Sequence, residues 1–343
     1  MRYLSCYPTK IWENYNHPVV RDLAWMFFAP SLLNDSQHAQ LDMVSHADSI
    51  DSITRWLTQL DQYTPDALDT LINRHNFTRL GVYGEALFDV ITTYANQHQA
   101  FHLKLMSRNI QIFKPKTKIT LGELDFLVRD NHRRIYHIEM ATKFYLLDDT
   151  QRLATRNNAL KTLAPTLIGP NQKDRLDIKL HRLTHHQLPL AHSRVAFEQL
   201  SAQKTIEQAI STPSKLFLKG QLFHYYLSQA PAITDVYMDK EALWVHCAQH
   251  HHALQLWESN VSHLGESRWQ VLSKLNWLAG EKASKAIFEQ ALQSDALAQR
   301  VNQQAYRDLT PPILLQQYIR HDKTIKKGIR LMIVGDDWPK LRQ

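Results

Sequence analysis

Glycine is scarce in this sequence. Nine residues in 343 are glycine, about 2.6% where roughly 7% is usual. Neither GxxxxGK[ST] nor GxGxxG occurs, so the phosphate-cradling loop and the dinucleotide fingerprint are both excluded as written motifs. Cysteine is nearly absent. Cys6 and Cys247 alone supply neither a disulfide framework nor a CxxC zinc site, which leads us to expect a reduced, intracellular, cytoplasmic protein. Long apolar runs are missing too. The longest, Leu23 to Leu33, has 11 residues with Pro30 and Ser31 inside it, too short to span a bilayer. The start MRYLSCYPTK has no apolar signal region, and no membrane partner is expected. No Gly-x-Ser-x-Gly elbow supports a serine hydrolase.

What remains is a globular composition: 44% hydrophobic and 21% charged, with 40 Lys+Arg against 33 Asp+Glu, a formal charge of +7. A charge of that size does not by itself point to nucleic acid. The chain is long enough for about two domains. Residues 1–78 read as a helical N-terminal region, with helices over Arg21 to Ala29, Ile50 to Leu60 and Pro65 to His75. Residues 79–226 change pattern. Leu80 to Tyr94 is helical. Phe101 to Phe113 reads as a strand, interrupted around Ser107–Asn109. Gly122 to Val128 and Ile135 to Leu146 read as a hairpin turning at Asp130–Asn131. Lys173 to Gln187 is a helix, and Lys215 to Tyr226 a strand. Residues 227–343 mix strands at Ala242–Cys247, Trp269–Leu272 and Ile329–Val334 with a helix near Ser284–Gln303. The fold class is therefore α/β with a mixed sheet.

The chemistry concentrates in GELDF (122–126) and IEMATK (138–143). Period two puts Glu139, Ala141 and Lys143 on one strand face, and in a hairpin Asp125 and Glu139 become neighbours roughly 4.5–8 Å apart. Facing carboxylates repel unless neutralised, and a hard divalent cation does this: Mg²⁺ is held by one or two carboxylates with waters and phosphate oxygens. Lys143 then lies near water and a substrate phosphate. Taken singly, the same residues have plainer explanations, an exposed Glu139–Lys143 ion pair or Asp125 satisfying loop amides. Their joint occurrence in this strand order favours a metal site.

Asp125, Glu139 and a following lysine on adjacent strands, after a helix carrying an acid, resemble the PD-(D/E)XK nuclease superfamily. The resemblance extends over most of the chain to a bacterial family of uncharacterised proteins placed in that superfamily, through RDLAWMFFAPSLL, GELDFLV, HIEMATKFYL, GPNQKDRLDIKLHRLTHHQL and LMIVGDDWP. It implies a restriction-endonuclease-like αβββαβ core with Asp125 and Glu139 as metal ligands. Mg²⁺ or Mn²⁺ would be the cofactor, the Met140 carbonyl a third ligand, and Glu85 the auxiliary helical acid. The departure is at position 141, where alanine stands in place of the usual lysine and Lys143 follows two residues later. The expected activity is metal-dependent phosphodiester hydrolysis, on DNA rather than RNA. The alternative is a catalytically silent module of the same fold that binds nucleic acid or protein.

Lys114, Lys116 and Lys118, with Lys173, Arg175 and Lys179, supply candidate phosphate contacts. His181 and Arg182 lie on the same helix, and Lys323, Lys326, Lys327 and Arg330 form a terminal cluster that reads as a solvated face. His246 to His252 lacks the HExxH glutamate and reads as a surface histidine run. Gln221 to Tyr225 matches Q-x-x-x-Y within strand-like sequence and carries no separate expectation.

Overall fold

The computed structural model describes residues 10–33, 40–41, 43–44, 47–148, 163–206, 209–228, 237–305 and 312–339. Cys6 lies outside them. The chain divides into two compact units, each discontinuous in sequence: 1–142 with 178–219, and 143–177 with 220–343.

In the first unit, α1 (Pro18–Phe28) starts with Pro18 after His17, whose ring accepts from the Val19 amide, and ends before Pro30, where the missing N–H stops a helix. Helix α2 is Ala47–Leu60. Helix α3 is Pro65–Leu71 and stops short of His75. Ile72 turns extended and the Asn73 side chain accepts from the His75 amide, opening a separate short turn. Helix α4 (Leu80–Val90) buries Tyr83, Gly84, Leu87 and Phe88, residues three and four apart on one face, and runs into a π-turn at Ile91–Ala95.

Strands β1 (Lys104–Phe113), β2 (Thr120–Arg129) and β3 (Ile135–Leu147) form an antiparallel meander. The expected break in β1 proves to be local: the strand continues through Asn109, which takes φ 52°. The β2–β3 turn is tied by Asp130, which accepts from the His132 and Arg134 amides. Leu124, Phe126 and Val128 are fully buried. Phe126 stacks edge-on against Phe88 of α4. Its neighbour Leu127 joins a cluster with Ile112, Leu124, Ala191, Ala196 and Leu200. Successive strand residues point to opposite faces, so the meander is covered on both.

The Ala191–Leu200 side of that cluster leads through α6, Arg194–Ala202. Ahead of it, α5 (Leu176–Arg182) continues into a π-turn at Leu183–Gln187. The helix starts later than Lys173 because residues 169–174 form a turn, closed by Gly169 N–H to Asp174 O at 2.7 Å.

The second unit holds the ends of β3 and of β5 (Lys215–Tyr225), the short β4 (Leu167–Ile168), and β6 (Ala242–His246), β7 (Glu266–Val271), β8 (Ile313–His321) and β9 (Thr324–Val334). β5 pairs parallel with β6 and β6 parallel with β9, while β9–β8 and β8–β7 are antiparallel. The class is thus mixed α/β, as expected. Helix α7 (His250–Val261) places Ala253 and Leu254 on the sheet core with Leu243, Val245, Leu331 and Ile333.

The single helix expected near Ser284–Gln303 is two, α8 (Lys285–Gln290) and α9 (Ser294–Ala305). Leu292 between them exchanges both backbone hydrogen bonds with Trp269, at 2.8 Å each, which a continuous helix would forbid. The histidine run is not simply a surface feature either. His250 is buried, its Nδ1 on Cys247 O and its Nε2 on Ala298 O. The terminal basic cluster also differs in part from a solvated face. Arg330 bonds to Gln221, Gln316 and the Trp277 and Leu278 carbonyls, and Lys327 donates to Ala279 O.

Candidate active site

The site forms where two paired strands part. Pairing of β2 with β3 runs from Arg129↔Ile135 to Phe126↔Ile138, and both strands continue beyond that point. One residue past the last pair, the Asp125 carboxylate takes the Met140 amide that a neighbouring carbonyl would otherwise accept, Oδ2 to N 2.9 Å. Met140 itself is buried, and its methyl lies towards α4: a Cβ on Gly84 would sit 3.2 Å from Met140 Cε and 2.6 Å from Thr142 Oγ1. Glycine at 84 brings α4 close to β3, and the next helical residue is Glu85.

Glu139 projects to the other face and is almost fully buried. His137 Nε2 is 2.9 Å from its Oε1, and Gln187 Nε2 donates to its Oε2 at 2.5 Å. His137 Nδ1 lies 3.0 Å from Ser214 Oγ, which donates to Leu188 O and also contacts His192 Nε2 at 2.9 Å. A hydroxyl has one proton. With that proton on Leu188 O, His137 Nδ1–H donates to Ser214. The other ring nitrogen is then left to accept from a protonated Glu139.

The electrostatics agree. Burial drives His137 down to about 4, so its ring is neutral at pH 7. Burial pushes Glu139 up to about 7, against the pull of the Lys179 ammonium. Asp125 is raised to about 6, first by burial and then by the charge of Glu139, again opposed by Lys179. Glu85 is raised by burial and by the charges of Asp125 and Glu123. Four carboxylates on α4, β2 and β3 therefore share one electrostatic neighbourhood, with Lys179 of α5 as a cation acting on both central acids.

The expected residues separate accordingly. Asp125 and Glu139 come together, and the charge of Asp125 reaches Glu85. Lys179, expected on the phosphate track, stands at the carboxylates. Lys143, in the second unit, is ion-paired with Asp174 at 2.8 Å. Lys114, Lys116 and Lys118 are exposed at the β1–β2 turn. Lys173 is exposed, and Arg175 holds Asp177 at 2.6 Å.

Residues 21–334 match the family described as a domain of unknown function, DUF1853. The chain belongs to the DUF1853 family. No curated protein and no solved structure matches it. The DUF1853 match covers every carboxylate of the site as well as Lys179 and Gln187.

Three DUF1853 site residues had no expected role: His137, Gln187 and Glu123. His137 and Glu123 were within reach of strand alternation, since each lies two residues from a named acid. Gln187 was not, because the π-turn at 183–187 changes the helical phase that links it to Lys179. Such turns recur at functional sites.

Does a divalent cation suit these residues? Among the described residues no group of three or more His, Cys, Asp or Glu is placed to hold a metal, so a closed structural site is absent there. Two crowded carboxylates with raised pKa values suit Mg²⁺, which keeps several waters. Gln187 Oε1, beside Glu139, is buried with no hydrogen-bond partner, an acceptor suited to such a water. No helix among the described residues is long and apolar enough to cross a membrane.

Proposed function

We propose that this protein is a Mg²⁺-dependent nuclease that hydrolyses phosphodiester bonds in DNA, with its centre at Asp125 and Glu139. The observation that carries the reading is the pairing of these two carboxylates, both raised towards neutrality, at the point where β2 and β3 part. The order α4, β1, β2, β3, α5, β5 supports a restriction-endonuclease-like αβββαβ core.

Asp125 and Glu139 would hold the cation, with the Met140 carbonyl adjacent, and Mn²⁺ would substitute for Mg²⁺. The bound cation supplies Lewis-acid polarisation of the phosphoryl group and of water. Lys179 presents positive charge where negative charge develops on the phosphoryl oxygens. It fills the role expected of a lysine at 141, where alanine stands. His137 and Gln187 fix the Glu139 carboxyl, one on each oxygen, and Glu85 completes the acidic wall.

Incubating the protein with plasmid, linear duplex, single-stranded DNA and RNA in Mg²⁺ or Mn²⁺ tests the proposal. Cleavage that stops with chelator and with Asp125→Asn supports it. Binding without cleavage of any substrate would replace it with the silent-module reading.

A further inference from the structure

We propose, resting on the nuclease reading for the identity of the substrate, that the β1–β2 hairpin tip is a groove-docking element that selects duplex DNA. From Lys104 to Gly122 the chain carries five cations, Lys104, Arg108, Lys114, Lys116 and Lys118, and no Asp or Glu. Within this basic stretch sit Phe113, Ile119 and Leu121, exposed by 36%, 61% and 50%. They are three of the ten exposed large hydrophobic side chains among the described residues, and Ile119 is the most exposed of these. Exposed apolar side chains gathered in one place mark a contact surface.

The tip is also tied by its own hydrogen bonds. Lys114 N–H donates to Ile119 O at 2.8 Å and Thr117 N–H to Lys114 O at 3.1 Å, while the Thr117 hydroxyl accepts from the Ile119 amide at 3.2 Å. Helix α6 braces its base, since Gln199 accepts from the Phe113 amide and donates to Gln111 O. These bonds oppose collapse of the exposed apolar side chains onto the hairpin's own surface.

The ladder slips at Leu121, since Ile112 pairs with Gly122 and Phe113 with Thr120, and two residues further on stands Glu123, whose charge acts on Glu85 and on Glu139. At about 3.4 Å per residue, the regular part of β2 from Gly122 to Asp125 spans roughly 10 Å, with Leu121 and then Ile119 beyond it. A strand that leads from the carboxylates to lysines flanking an exposed apolar tip fits a duplex. Lysines meet the phosphates of the two strands, and apolar side chains enter the minor groove against base edges. A second copy of this chain is a poorer occupant, because it would bring like-charged lysines together.

The experiment measures binding of the full-length protein to a short fluorescent duplex, and to one of its strands alone. It is done in Ca²⁺ over a salt series, with Mg²⁺ cleavage followed in parallel. Three chains are compared: wild type, Ile119→Ser/Leu121→Ser, and Lys114→Ala/Lys116→Ala/Lys118→Ala. All five positions are exposed, and circular dichroism checks that each variant folds. Duplex binding should weaken roughly tenfold in the serine variant with its salt slope unchanged. The slope of log affinity on log salt should fall by about 2–3 in the alanine variant. The isolated strand should bind more weakly than the duplex and respond little to the serine changes. Variants within twofold of wild type on the duplex would overturn the inference, as would preferential binding of the single strand, or a wild-type dimer that the serine variant loses. If wild type still cleaves in those cases, the nuclease reading stands alone. Tip-dependent duplex binding without cleavage would instead uphold the docking element and remove the nuclease.

Discussion

Asp125 Oδ2 accepts the Met140 amide at 2.9 Å, one residue beyond the last β2–β3 pair. A side chain thus completes the backbone bonding of a strand whose neighbour has turned away. The cost is a carboxylate held in a poorly solvated place next to Glu139. Asp125→Asn keeps an oxygen for the Met140 amide and removes the charge. At pH 8 this variant should melt on the order of 2 °C or more above wild type, while any cleavage is lost. A melting temperature equal to or below wild type would mean that the carboxylate is not strained.

The sign of the pH dependence follows from the same pair. Unfolded Asp and Glu titrate near 4, whereas Asp125 and Glu139 titrate at about 6 and about 7 in the fold. Between those limits the native state binds more protons than the unfolded state, so these two groups make stability fall as pH rises from about 4 to about 7. Urea midpoints across that window should show this slope in wild type and a shallower one in Asp125→Asn. An identical slope in both proteins would contradict the assignment.

Lys179 and Lys143 make opposite predictions. Lys179 lowers both central carboxylates, so Lys179→Ala should shift the acidic limb of the rate profile to higher pH. It should also cut kcat about 10²-fold or more, in the range of losing one positioned charge. Lys143→Ala breaks a partly exposed pair with Asp174, worth about 0–1 kcal/mol, and should leave kcat within a few-fold of wild type. If the two variants exchange these effects, Lys143 is the catalytic lysine.

Gly220 adopts φ 151°, and a Cβ there would lie 1.6 Å from Lys143 O. The obstruction is backbone, so no rotamer change relieves it. Gly220→Ala should cost about 3 kcal/mol or more, beyond the usual range for a point change, read as a large drop in urea midpoint or failure to fold. A stable Gly220→Ala protein would show that β3 and β5 tolerate separation there.

Alternation made the β2–β3 hairpin legible, because Leu124, Phe126 and Val128 had to face inward together. The two carboxylates followed from the hairpin. The sequence does not mark the parting of the strands after Phe126↔Ile138, and this is what places Asp125 on the Met140 amide. Lys179 was readable only as a cation on a helix, since its approach to the carboxylates depends on tertiary placement. Gln187 is hidden by the π-turn, and His137 by its burial between Ser214 and Glu139, which strand alternation does not show. Ala291 and Leu292 have helical propensity and predict one helix across 284–303, which the pairing of Leu292 with Trp269 overrides.

The most direct test of the central claim is calorimetric titration of Mn²⁺ into wild type, Asp125→Asn and Glu139→Gln at pH 6.5, in two buffers of different ionisation heat. One cation should bind wild type and release close to one proton from the carboxylate pair, with affinity falling at least tenfold in each variant. Equal affinity in all three proteins, or binding without proton release, would contradict the account.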